Sequence, residues 1–277
     1  MDREEFKLLV ATTVVLGFCF SFREWGVTNF DFGFGFKNFI LITILVGISI
    51  VVHELTHNHL ATKYGTEVKF RTWKALLFAA VLITIITNGY VIFAAVWAVS
   101  IGGRVLRPRH KYPHVGPWES AKIAASGPMA NFFFALLSAA IAFKTGSYIW
   151  HKLMVINFWI AGMNLFPFFR IIPILLMGGG SDWRNFTHQM GKAVWSKSQV
   201  PYMEGEVIFF GSPMFNMFLL LLVTITAVLV VSLKMIFTGL FIGLLIGIIY
   251  WIYMEKNKGE LIPIPKNMRA WKWDMWK

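Results

Sequence analysis

The sequence predicts an all-α polytopic membrane protein of about six transmembrane helices, with a membrane-inserted β-hairpin between the second and third. Three observations carry this. Of 277 residues, 57% are hydrophobic and only 14% charged, about half the charged share of a soluble domain. Mean hydropathy is +0.62. Apolar runs of roughly the 20 residues that a helix needs to cross a bilayer recur along the chain. With 26 basic and 14 acidic residues there is too little charge to cover a soluble surface. The high apolar content excludes a disordered chain, and Cys19, the single cysteine, lies in an apolar run and excludes a disulfide scaffold.

The spans are expected at 6–22, 38–62, 120–143, 148–169, 206–232 and 235–253, with a further apolar run at 75–101. The first starts Met1-Asp2-Arg3-Glu4-Glu5, without a basic leader or a small-residue cleavage site, and reads as a retained helix. Neither a linker nor a repeat divides the chain. A single membrane domain over 1–277 is expected, with a core at 38–185, C-terminal helices at 206–253 and a tail at 254–277. In that tail, Trp271, Trp273 and Trp276 alternate with Lys272 and Lys277, a pattern suited to the headgroup layer.

The net charge of +12 is read as topology and not as nucleic-acid binding, since no soluble basic domain carries it. Segment 63–74 holds Lys63, Lys69, Arg71 and Lys74 against Glu67, and 102–117 holds Arg104, Arg107, Arg109 and Lys111 without an acid. Basic loops face the cytoplasm, which places both segments and both termini there, in the cell membrane. Segment 75–101 then cannot cross once. Its centre, Thr87-Asn88-Gly89-Tyr90, stands between β-branched and aromatic residues, the short-range signature of a hairpin. A re-entrant hairpin over 79–98 is therefore expected, held in a protein-lined cavity because lipid does not tolerate free strand edges. The competing reading is an extra helix with inverted topology downstream.

The second span ends in His53-Glu54-Leu55-Thr56-His57. Ionisable residues inside a membrane helix are costly and mark function. His53 and His57 lie about 40° apart around the helix axis, one turn from each other, which is the geometry that lets two imidazoles grip one zinc ion. Glu54 is turned about 100° from His53, beside the metal and placed to take a proton from its water. His59 falls on the opposite face and reads as a non-ligand. Counting back from Lys63, His53 lies roughly 15 Å below the basic boundary, within the membrane and toward the cytoplasm. A hydrolytic site wants three protein ligands and an open position. Asp182, after Gly178-Gly179-Gly180-Ser181, is the leading third ligand, with Glu204, Glu206 and His188 in reserve.

This His-Glu-x-x-His span resembles that of the site-2 proteases, the intramembrane zinc metalloproteases. Ser126-Gly127-Pro128-Met129-Ala130-Asn131 is similar to their Gly-Pro-x-x-Asn element, and Asn164-Leu165-Phe166-Pro167 to the Asn-x-x-Pro before their metal-binding aspartate. The resemblance covers about 38–185. It implies one zinc ion, a transmembrane protein substrate reached within the lipid bilayer, and a role for Asn131 on the substrate carbonyl or the metal's water. One departure stands out: the family's Asp-Gly falls within about ten residues of its Asn-x-x-Pro, whereas Arg170 to Ser181 precede Asp182 and Trp183 follows it. The competing functions are a non-catalytic metal-binding membrane protein or transporter, and another class of His-Glu-x-x-His membrane protease with a glutamate as third ligand. The intact Glu54 favours an enzyme, because binding alone does not need it.

Overall fold

A computed structural model describes residues 3–26, 29–72, 74–101, 115–168 and 203–256. Eight helices and one two-stranded sheet occur among them. Helix α1 (Arg3–Ser21) continues into a 3-10 turn (Phe22–Trp25). Helix α2 (Phe32–Lys63) starts six residues before the expected span, because Asp31 caps it: its Oδ1 accepts from Phe34 N at 2.9 Å. The two helices run antiparallel in close contact, since a Cβ on Gly17 would stand 2.1 Å from Thr43 Oγ1.

The expected hairpin over 79–98 is replaced by a helix and an extended return. Residues Lys74–Ile86 form α3, and the strands are β1 (Val68–Thr72) and β2 (Trp97–Ile101), antiparallel with Thr72 opposite Trp97 and Val68 opposite Ile101. The error was to give Asn88-Gly89 a turn between strands. Both residues do have positive φ, 50° and 71°, but these left-handed positions end a helix: Gly89 N donates to Thr84 O at 2.7 Å and Asn88 N to Ile85 O at 3.1 Å. Since Thr72 pairs with Trp97, the excursion leaves and returns at the same end of the sheet. Its tip packs under Arg23, whose guanidinium lies 4.1 Å from the Tyr90 ring centroid.

Helix α4 (Pro117–Thr145) begins with proline in its first turn and ends at Gly146, with φ 66°. Helix α5 (Tyr148–Leu165) stops where Phe166 turns extended ahead of Pro167. The run expected to cross once at 206–232 is broken. Helix α6 (Glu204–Gly211) ends at Ser212, whose extended backbone (φ −164°, ψ 105°) and Oγ cap the start of α7 (Pro213–Leu233). Helix α8 (Ile236–Lys256) follows after Lys234, at φ 55°.

Five of these helices, α1, α2, α4, α7 and α8, are long and apolar enough to cross a membrane. The chain is thus a helical membrane protein. Helix α5, expected as a further span, carries His151, Lys152, Asn157 and Asn164 among its apolar residues and buries most of one side within the bundle. It divides the core in two. One part holds Leu16, Ile42, Val46, Ile50, Trp97, Ile156 and Ile160, and the other Phe132, Met154, Phe158, Leu165, Ile208 and Val223. The polar residues that matter lie along the seam between α2, α4 and α5.

Candidate metal centre

His53 and His57 stand one turn apart on the face of α2 that meets α4, and both are fully buried. Their Nε2 atoms are 3.0 Å apart. Glu204, the first residue of α6, reaches them from across the bundle: its Oε1 lies 2.8 Å from His53 Nε2 and 3.1 Å from His57 Nε2. Ligands at the usual metal distances of about 2.0–2.1 Å would sit about 3.3 Å from one another around a tetrahedral ion. The observed triangle has the form of such a ligand set contracted by a few tenths of an ångström. Glu54 completes a buried group of four, with one donor atom from each residue within 4.8 Å of the others.

The hydrogens near this triangle can be assigned from backbone carbonyls, which only accept. His57 Nδ1 lies 2.7 Å from Ile123 O and must donate to it, which in the neutral imidazole leaves the lone pair on Nε2. His53 Nδ1 lies 2.6 Å from Asn131 Oδ1, and the remaining amide protons of that chain of contacts lead to the same tautomer. Two imidazole nitrogens and a carboxylate oxygen thus face one another at 2.8–3.1 Å. Such a cluster asks for a cation.

Two further observations fit a metal ion. A Cβ built on Gly127 would stand 2.3 Å from His57 Nε2 and 2.4 Å from His53 Nε2, so any side chain there would press on both nitrogens. Glu54 Oε1 and Glu204 Oε2 are buried without a hydrogen-bond partner among the described residues, a costly arrangement for carboxylates unless something else satisfies them. His59 is exposed.

The sequence brings His53, Glu54 and His57 to one place through a single helix. The third carboxylate arrives through tertiary structure. Asp182, its expected source, and His188 lie outside the described residues, as do most of the basic segment 102–117 and the tail beyond 256. Among the described residues the carboxylate on the histidines is Glu204. Its position depends on Gly205, where a Cβ would stand 2.7 Å from Leu165 O, so that α6 starts directly against the end of α5. Asn216 Nδ2 ties the two together, donating to Leu165 O at 3.0 Å and to Gly205 O at 3.4 Å. A signal was present in the sequence: Glu204-Gly205 repeats the acid-glycine form, but 37 residues after Pro167. Asn157 and Asn216 were passed over as well, although a buried asparagine in an apolar helix is itself informative. Asn131, expected on the substrate carbonyl or the water, is fully buried with its oxygen on His53.

Over 164 residues, 57% of this chain and 75% of the relative, the sequence is 29% identical to a Methanocaldococcus jannaschii protein named "Putative zinc metalloprotease". The chain is similar to a zinc metalloprotease. No protein-family model matches the chain, and no solved structure matches it. The likeness and the buried His53, Glu54, His57 and Glu204 group together support a zinc metalloprotease built on membrane-spanning helices.

Proposed function

We propose that the chain is a zinc-dependent intramembrane endopeptidase of the site-2 protease kind, which hydrolyses peptide bonds of transmembrane protein substrates. The single observation that carries this is the convergence of His53 Nε2, His57 Nε2 and Glu204 Oε1 on one point beside Glu54, buried within an apolar helix. In this reading His53, His57 and Glu204 hold the ion, and Asn131 orients His53 in place of touching substrate. A zinc ion bound there supplies Lewis acidity, polarising the scissile carbonyl and acidifying a water.

Glu54, whose Oε1 has no hydrogen-bond partner among the described residues, takes the proton of the attacking water and delivers it to the leaving amine. Gly127 keeps the approach to the ion open. A substrate helix must unwind before its carbonyls are accessible. The β1–β2 sheet offers unwound backbone a strand to pair with, and it reaches the centre, since the Trp97 ring centroid lies 5.4 Å from that of His53. The site is assigned to the cytoplasmic side of the cell membrane by the basic loops.

A glutamate ligand also suits the other class of His-Glu-x-x-His membrane protease. The site-2 reading is preferred because Glu204-Gly205 packs against Leu165 of Asn164-Leu165-Phe166-Pro167, so an acid-glycine pair adjoins the Asn-x-x-Pro element in space. The test is cleavage of a membrane-anchored peptide by the purified full chain in detergent. Glu54→Gln is expected to keep its zinc and lose about 10²–10⁴ in rate. Undiminished turnover in that variant would overturn the role of Glu54.

A further inference from the structure

A line of polar side chains runs from the metal-facing imidazole of His53 back into the bundle, and every member is fully buried: Ser49 and His53 on α2, Asn131 on α4 and Asn157 on α5. Its hydrogen bonds have only one consistent direction. Asn157 Nδ2 lies 2.8 Å from Leu153 O and 2.9 Å from Ser49 Oγ. A carbonyl cannot donate, so this atom is the NH2 group and Asn157 Oδ1 faces the other way. Asn131 Nδ2 donates to that oxygen at 2.7 Å, and to Ser49 O at 3.4 Å. The Ser49 hydroxyl gives its own proton to Leu45 O at 2.9 Å, which leaves a lone pair for Asn157. Asn131 therefore turns Oδ1 toward His53, 2.6 Å from Nδ1.

We propose that Asn157, held by Leu153 O and Ser49, is a positioning residue that acts through Asn131 to keep the His53 proton on Nδ1 and the Nε2 lone pair toward the metal. The physical problem is that a carboxamide is nearly symmetric in shape. Turned by 180°, Asn131 would offer an NH2 group to Nδ1, move the proton to Nε2 and cancel one metal ligand. His57 is guarded against this by a backbone carbonyl, Ile123 O. His53 has only a side chain in front of it, so the guard must come from behind. Asn157 supplies the shorter of the two contacts that hold Asn131, 2.7 Å against 3.4 Å to Ser49 O, and its own orientation is set by a carbonyl of α5, the helix it stands on.

The inference rests on the zinc reading for its purpose but not for its test. In metal-free wild-type protein at pH 8, with 15N-labelled histidine, the two-bond 15N–1H spectrum reports the tautomer directly. His53 is expected as Nδ1–H, and an Nε2–H signal there would overturn the proposal without any variant. Asn157→Leu is expected to shift His53 toward Nε2–H and to weaken zinc binding, measured by chelator competition, by roughly 10- to 100-fold, the usual range for groups behind a ligand. Asn157→Asp, isosteric and neutral when buried, still accepts from Asn131 and donates once, and is expected to restore both readouts. Asn157→Leu with an unchanged tautomer and wild-type zinc affinity would overturn it. Failure of the zinc reading looks different, because wild-type protein would then bind no zinc while His53 still showed Nδ1–H.

Discussion

Gly127→Ala adds one methyl group at the point where the two histidines converge. The added carbon would lie 2.3 Å from His57 Nε2, 2.4 Å from His53 Nε2 and 2.6 Å from His53 Cδ2, each about 1 Å closer than ordinary van der Waals contact. Interiors are too densely packed to absorb that without movement. The obstacle presses on both nitrogens that would hold an ion, and metal bonds tolerate only about ±0.2 Å. Turning the rings away by about 1 Å would break their bonds to Ile123 O and Asn131. Zinc affinity is expected to fall at least about 100-fold, the scale on which an ångström of misplacement is felt. Zinc content should match that of a His53→Ala, His57→Ala double variant, read by elemental analysis of purified protein. Helix propensity works in the opposite direction, since alanine in place of a helical glycine stabilises by up to about 1 kcal/mol. A helical, well-folded variant without zinc thus separates a lost site from a lost fold. Zinc affinity within a few-fold of wild type would refute the reasoning.

The third ligand is decided by a pair of variants: Glu204→Gln should lose zinc, while Asp182→Ala should retain it, and full occupancy in Glu204→Gln would remove Glu204 from the set. Chelation should abolish peptide cleavage and lower the melting temperature, both restored by added zinc, because a ligand at about 100 times its Kd stabilises the state it binds by about 2.7 kcal/mol. Asn216→Leu leaves the Leu165 and Gly205 carbonyls without their side-chain donor, for a cost of about 1–3 kcal/mol. It should also weaken zinc binding, because Gly205 adjoins Glu204; unaltered zinc affinity would show that Glu204 is held by other contacts.

The Asn88-Gly89 turn shows how far a local signal reaches. The Asn-Gly pair marked a turn, but the positive φ that both residues adopt closes a strand hairpin or a helix end alike. The ladder into which the preceding residues enter decides between them, and Ile83 to Ile86 satisfied their backbone in a helix. The break at Ser212 is the reverse case. Gly211-Ser212-Pro213 is a stop, a cap and a start written plainly in the chain, and it was overridden by reading hydropathy alone across 206–232.

The sequence by itself determined whatever depends on near neighbours. Helical periodicity places His53 and His57 on one face with Glu54 beside them, and the scarcity of charge makes the surroundings a membrane. Tertiary structure alone decided what depends on distant residues meeting. It brought Glu204 to two histidines about 150 positions earlier, set Gly127 where a side chain would press on both imidazole nitrogens, and lined up Asn131 and Asn157 behind His53. The physical reason is that ligand geometry is a condition on positions in space. A helix fixes those positions only over its own few turns, and between helices they are fixed by close packing, by breaks such as Phe166 and Ser212, and by buried amides with one way to satisfy their protons.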